Sequence, residues 1–267
     1  MTNWTTDRIE TNGIHMNIYR TGTDAPHLIL LHGLTDNGLC WLRLMNSLRD
    51  DYDLLMPDAR GHGLSDKPEK DYSVITMADD IVGLLDAMQF EQPILIGHSM
   101  GAETAAHVAA RYPNLVKALI LEDPPWRDEA LSQAVIDEWR ENLRHEQATM
   151  SQKDLIAMGH ETQPKWDDIE FEHWAEATLQ MRLNALDYMA EARIAWRELC
   201  QKITCPTLLI TADVELGAIV NSETASEAIN LLKNGKQAQI EGAGHNIRRE
   251  QFDAYEDITR HFLAEHT

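Results

Sequence analysis

A serine between two glycines forms the pentapeptide Gly-His-Ser-Met-Gly at 97–101, which follows an apolar run at 93–96 and precedes an alanine-rich stretch at 102–110. This order predicts a strand, a sharp turn and a helix, with the Ser99 hydroxyl at the sheet edge in a strained backbone conformation. Each flanking glycine is expected because a Cβ there would collide with the neighbouring strand or helix. The Met100 N–H then begins the helix, where unpaired donors and the dipole favour an oxyanion. The pattern therefore predicts nucleophilic attack by Ser99 on a carbonyl group.

A serine hydroxyl is a weak nucleophile unless a base takes its proton during attack. His245 stands in the sequence Gly-Ala-Gly-His at 242–245, directly after a predicted strand that ends at Ile240. Among the twelve histidines it alone combines a loop after a strand, a glycine-rich turn and a place late in the fold. We predict that His245 is the base, and that the loop histidines His32 and His62 have structural roles.

A second backbone donor to the oxyanion is expected from the loop after the first central strand. The apolar run at 28–31 leads there into His32, Gly33 and Leu34. A glycine lets the backbone approach the substrate, so the Leu34 N–H is predicted to act together with the Met100 N–H.

The acid of a triad must reach the His245 ring nitrogen that faces away from Ser99. Asp123 ends the strand after the one that leads to Ser99, and two prolines stiffen the chain behind it. Asp213 and Glu215 end the following strand and could reach the same point. We predict that Asp123 is the acid, with Glu215 and Asp213 as alternatives.

Short β-rich runs alternate with longer helical patterns, which predicts an α/β fold with a mostly parallel sheet covered by helices on both faces. Predicted strands cover 14–19, 28–31, 52–56, 94–96, 118–121, 207–210 and 238–240. Predicted helices cover 39–48, 77–88, 101–111, 223–232 and 250–264. Ser222 is the expected N-cap of the fourth helix, with Gly235 beyond its end.

The alternation stops in the segment 126–201, which we call the helical insert. Val135, Trp139 and Leu143 recur there every four residues, as in a helix. An insert between two strands of a parallel sheet lies above their carboxyl ends, where ligands bind. We therefore predict a core of residues 1–125 and 202–267 with the helical insert as a cap.

The helical insert is rich in tryptophan and methionine, which predicts an apolar, adaptable pocket over the serine. Trp126 at its start and Trp174 in its interior are the predicted substrate-binding residues.

Composition limits the possible partners. The 267 residues include 23 basic and 44 acidic side chains, a net charge of −21, which repels phosphate backbones and anionic lipids. Nucleic-acid and membrane binding are therefore not expected.

Three cysteines without a metal-ligand spacing predict buried free thiols and no metal. The first residues lack a basic and apolar leader pattern, so a cytoplasmic location is expected.

Four segments in this order resemble the α/β-hydrolase superfamily: Leu31-His32-Gly33, 58–65, 97–101 and 242–245. The resemblance covers nearly the whole chain apart from the helical insert, and it implies a Ser–acid–His triad under a cap. Related members include esterases, lactonases, C–C bond hydrolases and cofactor-free haloperoxidases. Dehalogenases and epoxide hydrolases carry aspartate at the nucleophile position, so Ser99 counts against both.

The resemblance also bears on the acid. Most relatives carry it after the strand that follows the cap, where Glu215 occupies the usual aspartate position in this chain. Some relatives carry it earlier, at the position that matches Asp123.

From these features we predict a carboxylic-ester hydrolase, an esterase or lactonase, that acts on a small to medium apolar substrate without a cofactor. One alternative is a C–C bond hydrolase or perhydrolase with the same triad, which a polar, arginine-bearing pocket would favour. Another is a ligand receptor on the same fold with slow or absent turnover.

Overall fold

A mostly parallel sheet forms the centre of the computed structural model, which describes residues 4–128, 131–190 and 194–267. Within these residues the sheet has eight strands in the order β1-β2-β4-β3-β5-β6-β7-β8, and only the pairs β1–β2 and β2–β4 are antiparallel. The strands are β1 (Thr5–Thr11), β2 (Ile14–Arg20), β3 (His27–Leu31), β4 (Asp53–Pro57), β5 (Ile94–His98), β6 (Ala118–Glu122), β7 (Thr207–Thr211) and β8 (Gly235–Gln239). The predicted fold class is confirmed.

Helices connect the strands and cover both faces of the sheet. In the described part of the chain they are α1 (Leu42–Leu48), α2 (Val74–Ala87), α3 (Met100–Arg111), α4 (Gln133–Thr149), α5 (Gln152–Thr162), α6 (Asp168–Gln180), α7 (Trp196–Lys202), α8 (Ser222–Leu231), α9 (Ile247–Glu250) and α10 (Phe252–His266). Short 3-10 turns cover Gly38–Trp41, Leu183–Met189 and Val214–Leu216. None of the helices described is both long and apolar enough to cross a bilayer.

Alternation along the strands divides the core between the two faces. In β3, Ile29 and Leu31 pack with α2 and α3, whereas Leu28 and Leu30 pack with α1 and α10. Because both faces of the sheet are buried at β3, the sequence of this strand is a continuous apolar run. The three cysteines are buried free thiols, as predicted.

The parallel strands bring four loops to one edge of the sheet. Ser99 follows β5, Asp123 follows β6, Leu34 lies in the loop after β3, and His245 lies in the loop after β8. The carboxyl ends of parallel strands meet at the same edge, where open α/β sheets bind ligands.

Both edge strands differ from the prediction. β1 was not expected, and β8 was expected at 238–240 but begins at Gly235. Both strands are largely exposed and lack an apolar pattern of their own. They are strands because β1 pairs with β2 and β8 pairs with β7. The N-cap of α8 is Asn221 and not Ser222, since the Asn221 side chain accepts from the Thr224 N–H at 2.8 Å.

The helical insert contains α4, α5, α6, a 3-10 turn and most of α7, and no strand forms among its described residues. A third apolar cluster joins it to the loops at the sheet edge, with Ile136 and Leu143 packed near Leu34 and Met100. By contrast, α7 contributes its Trp and Leu side chains to the main core and ends at Lys202, so the predicted boundary at residue 201 falls inside a core helix. The independence of the insert as a domain stays a prediction.

Candidate active site

Ser99 turns the chain from β5 into α3. Its backbone lies at φ 51° and ψ −116°, a conformation that costs a residue with a side chain about 1–3 kcal/mol. Two backbone hydrogen bonds hold it there: the Ser99 N–H donates to the Glu122 carbonyl at 3.0 Å, and the Ser99 carbonyl accepts from the Glu103 N–H at 3.0 Å. The surrounding structure therefore keeps the nucleophile candidate in a strained turn.

The flanking glycines are required by space, as the sequence predicted. A Cβ on Gly97 would lie 2.4 Å from the Gly101 carbonyl oxygen, within α3. A Cβ on Gly101 would lie 2.1 Å from the Leu31 carbonyl oxygen, at the end of β3. Both contacts are with backbone atoms, which cannot move aside. The close approach of β3, β5 and α3 at this turn therefore requires glycine at both positions.

The strain at Ser99 predicts a stability effect that is separate from chemistry. Glycine adopts this φ without a steric penalty, so Ser99→Gly is expected to raise the free energy of unfolding by about 1 kcal/mol relative to Ser99→Ala. Neither variant has the hydroxyl, so the two stabilities are compared between proteins that both lack the predicted nucleophile. Urea unfolding measures the difference, and an alanine variant as stable as the glycine variant would contradict it.

His245 and Asp123 are in direct contact. His245 Nδ1 lies 2.6 Å from Asp123 Oδ2, and the Asp123 carboxylate is fully buried. The same carboxylate accepts from the Ile219 N–H at 2.8 Å and the Val220 N–H at 2.9 Å. A positive φ of 41° at Asp123 turns the chain directly after β6. These donors fix the carboxylate so that it can hold the imidazole in one orientation.

The two alternative acids lie elsewhere. Asp213 Oδ2 accepts from the Gly242 N–H at 2.7 Å, which ties down the loop before His245. Glu215 is exposed in a 3-10 turn. Within the described residues the structure thus brings Asp123, and neither alternative, to the His245 ring. The catalytic role of all three triad residues stays a prediction.

The predicted oxyanion donors, the N–H groups of Leu34 and Met100, belong to the loop after β3 and to the first residue of α3. The Met100 N–H precedes the first hydrogen bond of α3, which Glu103 donates, so the helix offers it no acceptor. The loop that carries Leu34 is held by two histidines. His62 Nε2 lies 2.5 Å from the Leu34 carbonyl, and His32 Nδ1 lies 2.7 Å from the Gly33 carbonyl. The structural roles predicted for these two histidines are confirmed.

The two hydrogen bonds of the His32 ring require that the imidazole is neutral. Its Nδ1 donates to the Gly33 carbonyl while its Nε2 accepts from the Ala59 N–H at 2.9 Å, and protonation would remove that acceptor. Burial and the neighbouring His62 lower the pKa of His32 to about 3.

The lowered pKa of His32 predicts acid sensitivity. The unfolded chain binds a proton below an ordinary histidine pKa of about 6.5, but the folded chain does not, so stability is present above this pH and falls as the pH drops toward 3. The expected contribution is up to about 1.4 kcal/mol per pH unit. Urea unfolding at about pH 6 and pH 5 should give a steeper loss in the wild type than in His32→Asn. Equal slopes would contradict this assignment.

His98 links the serine turn to the base. Its Nε2 donates to the His245 carbonyl at 2.9 Å, and the two rings lie 4.7 Å apart. Burial, Arg248 and His245 lower the pKa of His98 well below its ordinary value, so the ring is a neutral donor. A Cβ on Gly33 would lie 2.8 Å from His98 Nδ1, so glycine there also makes room for this ring.

A cavity of about 940 Å³ opens over these residues, and both Ser99 and His245 line it. Its wall includes five tryptophans: Trp126, Trp139, Trp166, Trp174 and Trp196. The predicted substrate-binding residues Trp126 and Trp174 are therefore at the cavity. The Trp126 ring stacks on that of Trp196 at 5.8 Å, so part of this aromatic wall is braced by the core helix α7.

Charged side chains also reach the wall. Arg197 contacts Asp128 and Glu227, both at 2.5 Å, and Arg127 lies nearby. On another side, the Tyr188 hydroxyl donates to Glu103, a buried carboxylate one turn of helix after Ser99. The pocket is thus aromatic with interspersed ionic groups, and more polar than the tryptophan content alone predicted.

The polar side chains around the predicted triad, chiefly Asp36, Glu103, Tyr188 and Arg249, were not predicted from the sequence. One usable signal existed: two adjacent arginines, Arg248 and Arg249, stand within four residues of the predicted base. In the described residues no group of three or more histidine, cysteine, aspartate or glutamate side chains is arranged to hold a metal ion.

Comparison with known proteins identifies the family. The model of the alpha/beta hydrolase fold matches residues 26–248, so the chain belongs to this family. The chain is 39% identical over 116 residues to a 2-(acetamidomethylene)succinate hydrolase of Mesorhizobium japonicum, which covers 43% of this chain and 41% of that protein. It is 26% identical to an N-formylmaleamate deformylase of Pseudomonas putida over 92% of each chain.

A crystal structure of E-2-(acetamidomethylene)succinate hydrolase superimposes with a TM-score of 0.83 at 24% identity, covering 98% of this chain and 99% of that one. This likeness shows the fold. In sequence, the chain spans between 30% and 42% of the length of the first curated relatives that it matches.

Proposed function

We propose that this chain is a serine hydrolase that cleaves a carboxylic ester or lactone of a small to medium apolar substrate without a cofactor. Ser99 Oγ attacks the carbonyl carbon while His245 takes the hydroxyl proton, and Asp123 stabilises the imidazolium that forms. The N–H groups of Leu34 and Met100 stabilise the oxyanion, each worth about 3 kcal/mol. The tetrahedral intermediate expels the alcohol, which receives the proton from His245. Water, deprotonated by His245, then releases the acid from Ser99.

The observation that supports a neutral substrate is the pairing of charges in the cavity wall. Arg197 is held by two carboxylates, and so is Arg249, which contacts Asp36 at 2.8 Å and Glu170 at 3.0 Å. An arginine whose charge is already compensated offers little to a substrate carboxylate, whereas the tryptophan surfaces favour apolar groups. The net charge of −21 adds a long-range repulsion of anions.

A second candidate is hydrolysis of an N-acyl group on a carboxylate-bearing substrate. The names of the two relatives, a 2-(acetamidomethylene)succinate hydrolase and an N-formylmaleamate deformylase, favour it. Arg127 and Arg197 in the cavity wall are the side chains that would meet such a carboxylate.

Two esters of equal chain length and identical leaving group separate the candidates: p-nitrophenyl butyrate and mono-p-nitrophenyl succinate. The proposed function predicts a kcat/KM at least about tenfold higher for the butyrate, because the cavity would have to desolvate the carboxylate of the succinate. A preference for the succinate that Arg127→Gln or Arg197→Gln removes would overturn the apolar substrate and favour the second candidate, whose N-acyl bond an acetamido-dicarboxylate substrate would then test.

The same assay tests the receptor alternative. An enzyme releases many equivalents of p-nitrophenol, whereas a receptor that is acylated once releases at most one. Release that stops at a single equivalent would overturn the proposed function.

A further inference from the structure

A buried ion-pair cluster lies beside the candidate active site. It consists of Asp36, Glu122, Glu170, Arg248 and Arg249, whose side chains are between 0% and 5% exposed. None of these side chains is needed as nucleophile, base, acid or oxyanion donor in the proposed reaction. Buried charges are costly unless they are paired, so five of them in one place require a specific arrangement.

Arg249 connects three parts of the chain. Its Nη2 lies 2.8 Å from Asp36 in the loop after β3, and its Nε lies 3.0 Å from Glu170 in α6 of the helical insert. Its guanidinium also stacks over the Trp166 ring at 4.3 Å. Burial opposes the charge of Arg249, but the nearby carboxylates outweigh that cost, and its pKa is raised. The insert is therefore joined to the sheet edge by a buried ion pair.

The Asp36 end of this connection reaches the predicted oxyanion loop. The Asp36 N–H donates to the Gly33 carbonyl at 3.2 Å and closes a turn that contains Leu34. Arg249 holds the Asp36 side chain from the cavity side, so movement of the guanidinium would move the turn that orients the Leu34 N–H.

Arg248 anchors the cluster to the triad strands. Its Nη1 and its backbone N–H contact the two carboxylate oxygens of Glu122 at 3.3 and 2.9 Å. Glu122 precedes Asp123, and its carbonyl accepts from the Ser99 N–H. Arg248 also contacts Asp36 at 3.4 Å, so both ends of the Asp36 carboxylate are held by arginine.

We propose that Glu170, which is not among the described residues that line the cavity, is a positioning residue that holds the oxyanion loop in place through Arg249 and Asp36. The proposal rests on the hydrolysis proposed above and adds a positioning residue to that site. Glu170 completes the pairing of Arg249, and the Leu34 N–H is fixed. Without the Glu170 carboxylate, Arg249 keeps one carboxylate of two, and oxyanion binding weakens.

The test is Glu170→Gln, with Glu172→Gln as the matched control, since Glu172 is an exposed residue of the same helix. The substrate is p-nitrophenyl acetate, which is too small to need contacts with the insert. Glu170→Gln is expected to lower kcat about tenfold, with KM changed less than about twofold, and the control is expected to match the wild type. Affinity for a boronic acid that mimics the tetrahedral intermediate should fall by the same factor as kcat.

A role confined to the stability of the insert gives a different result. It predicts a lower melting temperature for Glu170→Gln with kcat for the acetyl ester and boronic acid affinity unchanged, and this outcome would overturn the proposal. If Glu170→Gln does not fold, Glu170→Asp, which keeps the carboxylate, tests the proposal in its place. It is expected to lower kcat about two- to threefold, and wild-type kinetics would again contradict the proposal.

Amide hydrogen exchange provides a readout that does not depend on hydrolysis. Exchange at residues 33–36 is expected to be faster in Glu170→Gln than in Glu172→Gln and the wild type. If the wild type cleaves no ester but this difference appears, the proposed function is wrong and the connection through Arg249 stands. If the wild type cleaves esters and Glu170→Gln changes neither kcat nor exchange, the connection is wrong.

Discussion

Ser99→Ala is expected to lower kcat for p-nitrophenyl butyrate by at least about 10⁴-fold and to leave the fold intact. The substitution removes one oxygen, which the described structure uses in no hydrogen bond, from a turn whose backbone is held by Glu122 and Glu103. The oxyanion donors and the cavity remain, so only their small residual acceleration should be left. Initial rates measure the loss, and circular dichroism and the melting temperature report the fold.

Ser226→Ala is a suitable control, because Ser226 is an exposed residue within α8, beyond the loop whose N–H groups hold Asp123. It should retain wild-type activity. If Ser99→Ala kept more than a few per cent of the wild-type rate, Ser99 would not be the nucleophile, and a direct attack by water would have to replace the acyl-enzyme route.

Asp123→Asn is expected to lower kcat by about 10⁴-fold. Asp123 accepts from two backbone N–H groups and from His245 Nδ1, so all of its neighbours are donors. An asparagine satisfies the backbone donors with its oxygen and must then present its NH₂ to His245. That contact stabilises the tautomer with the proton on Nε2, which cannot take the proton of Ser99.

Two further substitutions test this assignment. Asp213→Asn and Glu215→Gln are expected to retain activity within about threefold, since asparagine can still accept from the Gly242 N–H and Glu215 is exposed. A nearly wild-type Asp123→Asn together with an inactive Glu215→Gln would reverse the choice of acid.

The loop after β7 supports the prediction that the acid is Asp123, directly after β6. Most relatives that this chain resembles carry the acid in that loop, whereas here the loop contributes backbone donors. The N–H groups of Ile219 and Val220 both point to the Asp123 carboxylate. In this chain the carboxylate after β6 is thus fixed by backbone dipoles from the loop after β7.

Local patterns were sufficient to predict the serine turn and the base. Ser99 and its glycines form one continuous strand-turn-helix segment, so the steric requirement is visible in the sequence. The same holds for His245, which follows a strand in a glycine-rich turn. The central strands were predicted because burial on both faces leaves an apolar run, whereas β1 and β8 lie at exposed edges and are defined by pairing with their neighbours.

Contacts between distant segments, which the sequence does not show, determine which carboxylate meets His245 and which charged residues form the buried ion-pair cluster. The choice among Asp123, Asp213 and Glu215 depended on which carboxylate the loop after β8 meets, and three acidic residues after adjacent strands look equivalent in sequence. The ion-pair cluster is the stronger case, because Arg249 lies 79 positions from Glu170 and 213 from Asp36. Charged residues at such separations are usually solvated, and only the packing of the insert on the sheet edge removes water from them and makes their pairing necessary.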